Sequence, residues 1–301
     1  MDRSRTIGVE VHGMTTKGRA EEPRGGQEEA TAPPSFGDLL RHWRVARHLS
    51  QLALALEAEV SARHVSFLET GRARPSRAML LTLATVLDVP LRERNVLLQA
   101  AGLAPVYRET SLDDPRMSHV RAALELLLTQ HEPRSALAFD RHWDIVMVNA
   151  SYVRFLTAVL GRAPAGLSPL TVTRPPRLNL LELVFDPQGV RPVIVNWEPI
   201  AKALLHEAYH SAAWACDPVM RARLAKILAY PGVPVRWREP DLDSSHGLIL
   251  PFELNLHGRI ARMFSTVTTL GRPQDVTLQE LYIEALFPAD AESEWVNVAR
   301  Q

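Results

Sequence analysis

From Phe36 onward, apolar residues recur at helical spacing (Phe36, Leu39, Leu40, Trp43, Ala46), which predicts an amphipathic helix ending near His48. Ser50 is placed to cap a second, short helix that starts at Gln51 and whose apolar face is Leu52, Ala55 and Leu56. After the turn Ala58-Glu59-Val60, Ser61 can cap a third helix running through Glu69, with Val60 and Val65 set as a hydrophobic staple around the cap. Gly71 stops that helix, and the loop to Pro75 leads to a Ser76-capped fourth helix carrying Met79, Leu80, Leu83, Ala84 and Leu87. A fifth runs from Leu91 to Ala101 and ends at Gly102, so residues 36–102 form one all-helical domain.

Pro105, Pro115 and the polar stretch between them mark 103–114 as a linker. Asp114-Pro115 opens a further helix with a buried stripe at Val120, Leu124, Leu127 and Leu128. Residues 135–140 and 145–149 read as strands around a turn at Arg141-His142, and helices are expected near 149–160, 179–185, 197–215 and 218–230. The pattern then returns to strands at 248–256, 259–269 and 281–287, with a turn at His257-Gly258. About five strands around a helical insert predict an α+β domain with an antiparallel sheet over 115–290, followed by a C-terminal tail at 291–301. Residues 1–35 hold almost no large apolar side chains and read as a flexible tail, in which Met14 offers a second candidate start.

A chain of 301 residues suits two domains, and 46% hydrophobic with 23% charged residues excludes wholesale disorder or collagen-like structure. No apolar run is long enough to cross a bilayer, and the N-terminus lacks the apolar core of a secretory signal, so the sequence reads as cytoplasmic. The lone Cys216 excludes a disulfide scaffold. The 34 basic and 34 acidic residues balance, but positive charge is concentrated in 36–108. Codon bias explains the preference for Arg over Lys as readily as phosphate binding does.

Two short helices joined by a tight turn between longer ones constitute a helix-turn-helix, whose second helix lies in the major groove. On that helix Val65 and Leu68 face the core, while Ala62, Arg63, His64 and Ser66 project outward near the Ser61 end. Arg63 can pair with guanine O6 and N7, Gln51 can hold a phosphate at its helix N-terminus, and Arg72 and Arg74 can flank the groove. Arg63→Ala is then expected to relax base preference and Gln51→Ala to weaken all sequences alike. Leu49-Ser50-Gln51, Val60-Ser61, Phe67-Leu68-Glu69-Thr70-Gly71 and Arg74-Pro75-Ser76 stand in register, and over 36–102 the chain resembles the Cro/phage-repressor-like (XRE) helix-turn-helix family. It departs from that family at Glu59, where the turn usually has Gly. A left-handed non-Gly residue costs roughly 1 kcal/mol, and a carboxylate is unwelcome near phosphate.

The second domain is less legible from residues alone, because a mixed sheet rich in aromatics can simply be a core. Leu91-Arg92-Glu93-Arg94-Asn95, Ala100-Ala101-Gly102, Phe139-Asp140-Arg141-His142-Trp143, Val195-Asn196-Trp197-Glu198 and the run from Phe264 to Asp290 resemble the MmyB-like ligand-binding domain over about residues 110–290. The resemblance implies a bacterial transcription regulator with a PAS-like sensor domain holding a fatty-acid-like or other small apolar molecule, and no further cofactor. Candidate lining residues are Phe139, Trp143, Met147, Phe155, Trp197, Trp214, Met263 and Phe264, each of which also suits solid core packing. Arg141, His142 or Asn149 could anchor a carboxylate.

A reading of another class comes from His206-Glu207-Ala208-Tyr209-His210, which matches the H-E-x-x-H pattern of zinc metallopeptidases. On a helix whose apolar face is Trp197, Ala201, Leu204, Leu205, Ala208, Ala212 and Ala215, however, both histidines point to solvent. The following helix also offers no third ligand among Asp, Glu or His. The sequence therefore predicts a non-enzymatic, homodimeric, ligand-responsive regulator of double-stranded operator DNA with no membrane partner, in which the helix at 115–130 couples the domains. An alternative keeps DNA binding and makes the second domain a dimerisation or partner surface.

Overall fold

Serine hydroxyls start four of the first five helices: α1 (Phe36–Ala46), α2 (Gln51–Glu57), α3 (Ala62–Glu69), α4 (Arg77–Val86) and α5 (Leu91–Ala100). The N–H groups of Ala53, His64 and Met79 donate to Ser50, Ser61 and Ser76 at 3.0, 3.1 and 3.2 Å, and Ser35 forms a capping box with Asp38. Such caps are each worth about 1 kcal/mol. Gly37 lets α1 approach α3, since a Cβ there would overlap the carbonyl oxygen of Glu69. Leu40, Leu54, Val65, Leu68, Ala84 and Leu87 fill the common core. The computed structural model describes residues 34–215, 217–239 and 251–298. Most of the expected N-terminal tail, with Met14, therefore lies outside the described residues, and Ser35 already belongs to the folded unit.

The second half begins with a 3-10 turn at Pro115–Met117 and α6 (Ser118–Gln130), followed by β1 (Ala136–Asp140) and β2 (Ile145–Val148). Next come α7 (Ala150–Leu160), α8 (Leu180–Phe185), α9 (Trp197–Ala215) and α10 (Pro218–Leu228), then β3 (Phe252–Leu256) and β4 (Arg259–Thr269). A short α11 (Val276–Gln279) precedes β5 (Leu281–Pro288), and α12 (Trp295–Val298) ends the described chain. The five strands form one antiparallel sheet in the order β2-β1-β5-β4-β3. Both faces are covered at its β2-β1-β5 side, where α6 packs Val120, Leu124 and Leu128 on Ala136, Ala138 and Ile283 while the helices of the insert cover the other face. That double burial explains why β1 and β2 read as continuous apolar runs instead of alternating.

Three boundaries differ from expectation. The segment 103–114 is packed down: Asn95 binds the backbone of Val106 and Tyr107, Thr110 donates to Asp275 at 2.6 Å, and Leu112 is buried. Residues 291–298 carry helical turns instead of a tail, because Trp295 and Val296 pack on the core and Arg259 lies over the Trp295 ring at 4.2 Å. β3 begins at Phe252, and residues 248–250 lie outside the described residues. Among the described residues no helix is long and apolar enough to cross a membrane.

Candidate functional site

On α3, Val65 and Leu68 are fully buried, Arg63 is exposed, and Ala62, His64 and Ser66 are half-buried. Ser61 is exposed, with its hydroxyl spent on the helix cap. The guanidinium of Arg63 lies over the Phe67 ring at 5.1 Å and that of Arg72 at 5.9 Å, so one aromatic ring gathers two cations on one side of the helix. Arg74 is exposed beyond them. Phe67 was not among the sequence candidates, although its spacing of four from Arg63 puts the two on one helix face.

Gln51 is placed differently from expectation. Its Nε2 donates to Glu69 Oε2 at 2.7 Å, and Arg44 grips the same carboxylate through Nε at 2.6 Å and a second nitrogen at 3.0 Å. Burial would raise the Glu69 carboxyl, but the hydrogen bonds from Arg44 and Gln51 outweigh it and hold it below the ordinary value. The Gln51 amide is thus tied into the α1–α2–α3 junction, where an interior carboxylate needed a second donor. Glu59, in the turn before α3, is exposed and has φ +56°.

On the insert side of the sheet lies a cavity of about 270 Å³. Its wall is mostly apolar: Leu137 and Leu286 from the sheet, Phe155 and Leu156 from α7, Leu181 from α8, and Ile200 and Leu204 from α9. Trp143 closes one side from the β1–β2 turn, where it holds φ +66°. A bulky residue in that region costs about 1–2 kcal/mol. The turn enforces it: Trp143 N–H donates to Asp140 O at 2.8 Å, its carbonyl accepts from Leu180 N at 2.8 Å, and the Asp140 carboxylate accepts from the N–H groups of His142 and Asp144. Phe139 stacks on the Trp143 ring at 5.2 Å, and Tyr282 stacks on Phe139 at 5.4 Å.

Few residues of this wall carry a polar side-chain group: Trp143, Tyr152, Ser265 and Glu284. Glu284 is deeply enclosed by protein yet keeps some accessible surface, because part of it faces the cavity. Burial, only partly offset by the Ser265 hydrogen bond, pushes its carboxyl up to about 7, and Glu207 nearby adds to the rise. Sequence reasoning missed it. The available signal was a single acid inside the apolar strand Leu281 to Phe287.

Of the expected lining residues, the structure brings Trp143 and Phe155 to the cavity and sets the other described ones elsewhere. Phe139 backs Trp143 one layer behind. Met147 faces the α6 side of the sheet, and Phe264 turns away to stack on Phe287 at 5.4 Å, since strand neighbours alternate faces. Met263 is buried in the core beside the cavity, and Trp197 packs edge-on against Phe185 with its indole N–H donating to Gly232 O at 2.7 Å. The side chains of Trp214 and His210, and Cys216 as a whole, lie outside the described residues. The proposed carboxylate anchors are committed elsewhere: Asn149 caps α7 and bonds the backbone, and Arg141 and His142 both bind Asp217.

Those last contacts belong to a polar chain between the two halves. Arg92 of α5 pairs with Glu280 at 2.7 Å and with Glu109 at 2.5 Å, while Leu91 N–H donates to Gln279 Oε1 at 2.6 Å. Glu280 also meets Arg141 at 3.3 Å, and Arg141 and His142 hold Asp217, the cap of α10. Burial would raise the Asp217 carboxyl, but these hydrogen bonds hold it at about 2. Arg141 stands two residues before Trp143, so the helical domain is wired to the turn that forms a cavity wall. In the same turn Asp140, His142 and Asp144 have ligand atoms within 4.8 Å of one another, and the two carboxylates are engaged by turn N–H groups, Arg177 and Arg223. His206 is half-buried with its ring edge-on to Trp237 at 5.7 Å, so it is not solvent-facing as the helical wheel suggested: the chain after α10 covers it.

Residues 120–297 match the MmyB-like transcription regulator ligand binding domain, and residues 35–97 match a helix-turn-helix domain. Among solved structures, the chain is similar to the restriction-modification controller protein C.AhdI from Aeromonas hydrophila. The identity is 39%, covering 20% of this chain and 89% of that one, with a TM-score of 0.19. No curated protein matches the chain. Because the ligand-binding match extends over more than half of the chain and a helix-turn-helix precedes it, the chain belongs to the MmyB-like transcription regulators, with a DNA-binding domain followed by a ligand-binding domain.

Proposed function

We propose that the protein is an intracellular regulator which binds operator DNA as a homodimer through α3 and changes its DNA affinity when a small apolar effector with an alkyl-like body fills the sheet-floored cavity. The observation that carries this reading is the cavity itself: about 270 Å³ of space with an apolar wall and few polar side chains, close to the size and chemistry of small-molecule sites. Arg63 reads a base, while Arg72 and Arg74 contact phosphates beside it. An effector shifts DNA affinity only by its unequal affinity for two conformations. The path we favour for that coupling runs from the Trp143 turn through Arg141 and Glu280 to Arg92, a shorter route than the helix at 115–130 suggested by the sequence.

The test is fluorescence-anisotropy titration of the full chain against DNA from its own gene neighbourhood, at two salt concentrations. Specific binding that weakens steeply with salt is expected. Arg63→Ala should cost about 1–3 kcal/mol and relax preference at one base position. Unchanged discrimination in that variant would remove α3 from the groove. Effector-insensitive DNA binding would turn the second domain into a dimerisation or partner surface.

A further inference from the structure

A wall this apolar needs no carboxylate, and Glu284 is the costliest side chain in it. Its strand neighbours Ile283 and Ala285 face the opposite core, so alternation along β5 sets Glu284 toward the cavity beside Ser265 of β4. Among the described lining residues none is Lys, Arg or His. Arg191 lies over the Trp197 ring at 4.1 Å, and Arg141 is held by Asp217 and Glu280. Among the described residues, the titratable groups that face Glu284 are Glu207 from α9 and Tyr152 from α7. An effector ending in a carboxylate would meet an acid here with no cation among the described lining residues to receive it.

We propose that the effector carries a cationic nitrogen, an apolar amine or quaternary ammonium, seated against Glu284 and the rings of Trp143, Tyr152 and Phe155. This rests on the reading of the cavity as the effector site and assigns the head group that the apolar wall leaves open. The pairing adds to the Ser265 hydrogen bond the cationic partner that the described lining lacks, and aromatic faces add attraction for a desolvated cation. Because burial holds its carboxyl at about 7, the acid gives up its proton as the cation arrives.

The experiment is isothermal titration calorimetry of the full chain with decylamine, decyltrimethylammonium, decanol and decanoate below their micelle concentrations. At pH 8 both cations should bind at least about tenfold more tightly than decanol, and decanoate most weakly. Between pH 8 and pH 6 the cation affinity should fall roughly tenfold, following the ionised fraction of Glu284, while decanol changes little. Glu284→Gln should bring the cations down to the decanol value and leave decanol unaffected, which also shows that the cavity has survived. Tight decanoate binding, or a cation preference that persists in Glu284→Gln, overturns the proposal. If decanol or decanoate binds and Ala203→Trp, a bulky side chain at a cavity-lining position of α9, abolishes that binding, the cavity remains the effector site and only the cationic head group is lost. If no probe binds a folded sample, both readings fail together.

Discussion

The helical domain and the ligand-binding domain bury similar side chains to different ends. In the first, Leu54, Val65 and Leu68 are fully buried, and the interior carboxylate of Glu69 is met by Arg44 and Gln51. In the second, leucines and aromatics of the same kind surround open space, and the interior carboxylate of Glu284 faces it. A solid core fixes one arrangement of α3 against the rest of the domain, whereas a hollow one keeps a place for material the chain does not supply. The difference is one of satisfaction, not composition: the same residue types either complete each other's contacts or leave them for a ligand.

Paired truncations give the largest test of that contrast. Leu54→Ala removes a side chain with 0% exposure from the helical core, and is expected to cost about 2–5 kcal/mol. Leu204 borders the cavity and already lacks partner atoms on one side, so Leu204→Ala should cost only about 1 kcal/mol. Urea denaturation of the two variants measures both. Equal losses would mean that the second core closes up in solution, and the contrast would fail.

Glu284 sharpens the comparison through pH. Its carboxyl stays protonated up to about 7 in the folded protein, whereas in the unfolded chain it ionises near its ordinary value of about 4.3. Between those limits the folded state binds more protons, so stability falls as pH rises and levels off above 7. The total loss is at most on the order of 4 kcal/mol. Glu284→Gln should abolish that slope: its advantage over the parent grows from pH 4.5 to 7.5 and is absent at the acid end. Denaturation midpoints at four or five pH values decide it, and parallel profiles for parent and variant would mean that the carboxyl is hydrated from the cavity.

What the sequence makes legible follows the same division. Caps at Ser50, Ser61 and Ser76 and the helical period of Val65 and Leu68 are local, so most of the helix-turn-helix could be read from the sequence. Arg63 could be put on the outer face for the same reason. The seven-residue α2 was too short to fix its face: it buries Leu54 and Ala55 and leaves Leu52 and Leu56 exposed. Gln51 could not be assigned in this way, since its partner Glu69 lies 18 residues away and is reached only through packing. The strands of the second domain were readable, but which of their aromatics meet the cavity was not. Trp143 and Met147 are both buried within one hairpin and end on opposite faces of the sheet, a distinction set by the left-handed turn at Trp143 and the irregular β1–β2 register. A cavity leaves no periodicity of its own, because its lining and a filled core are written in the same residues.

Glu59 offers the smallest effect and the most local one. It holds φ +56° in the turn ahead of α3, the position where glycine suffers no Cβ clash. Relief of that strain is worth roughly 1 kcal/mol, partly offset by the greater freedom of glycine in the unfolded chain. Glu59→Gly should therefore raise the melting temperature by no more than about 2–4 °C. The same change removes an exposed carboxylate from the side proposed to meet phosphate, so DNA affinity should rise a few-fold at low salt, with the gain shrinking as screening increases. Thermal melts and anisotropy at two salts separate the two contributions: a stability gain without an affinity gain would place the turn away from the DNA backbone. An affinity gain without a stability gain would mean that the glutamate is unstrained in its turn and acts on DNA through charge alone.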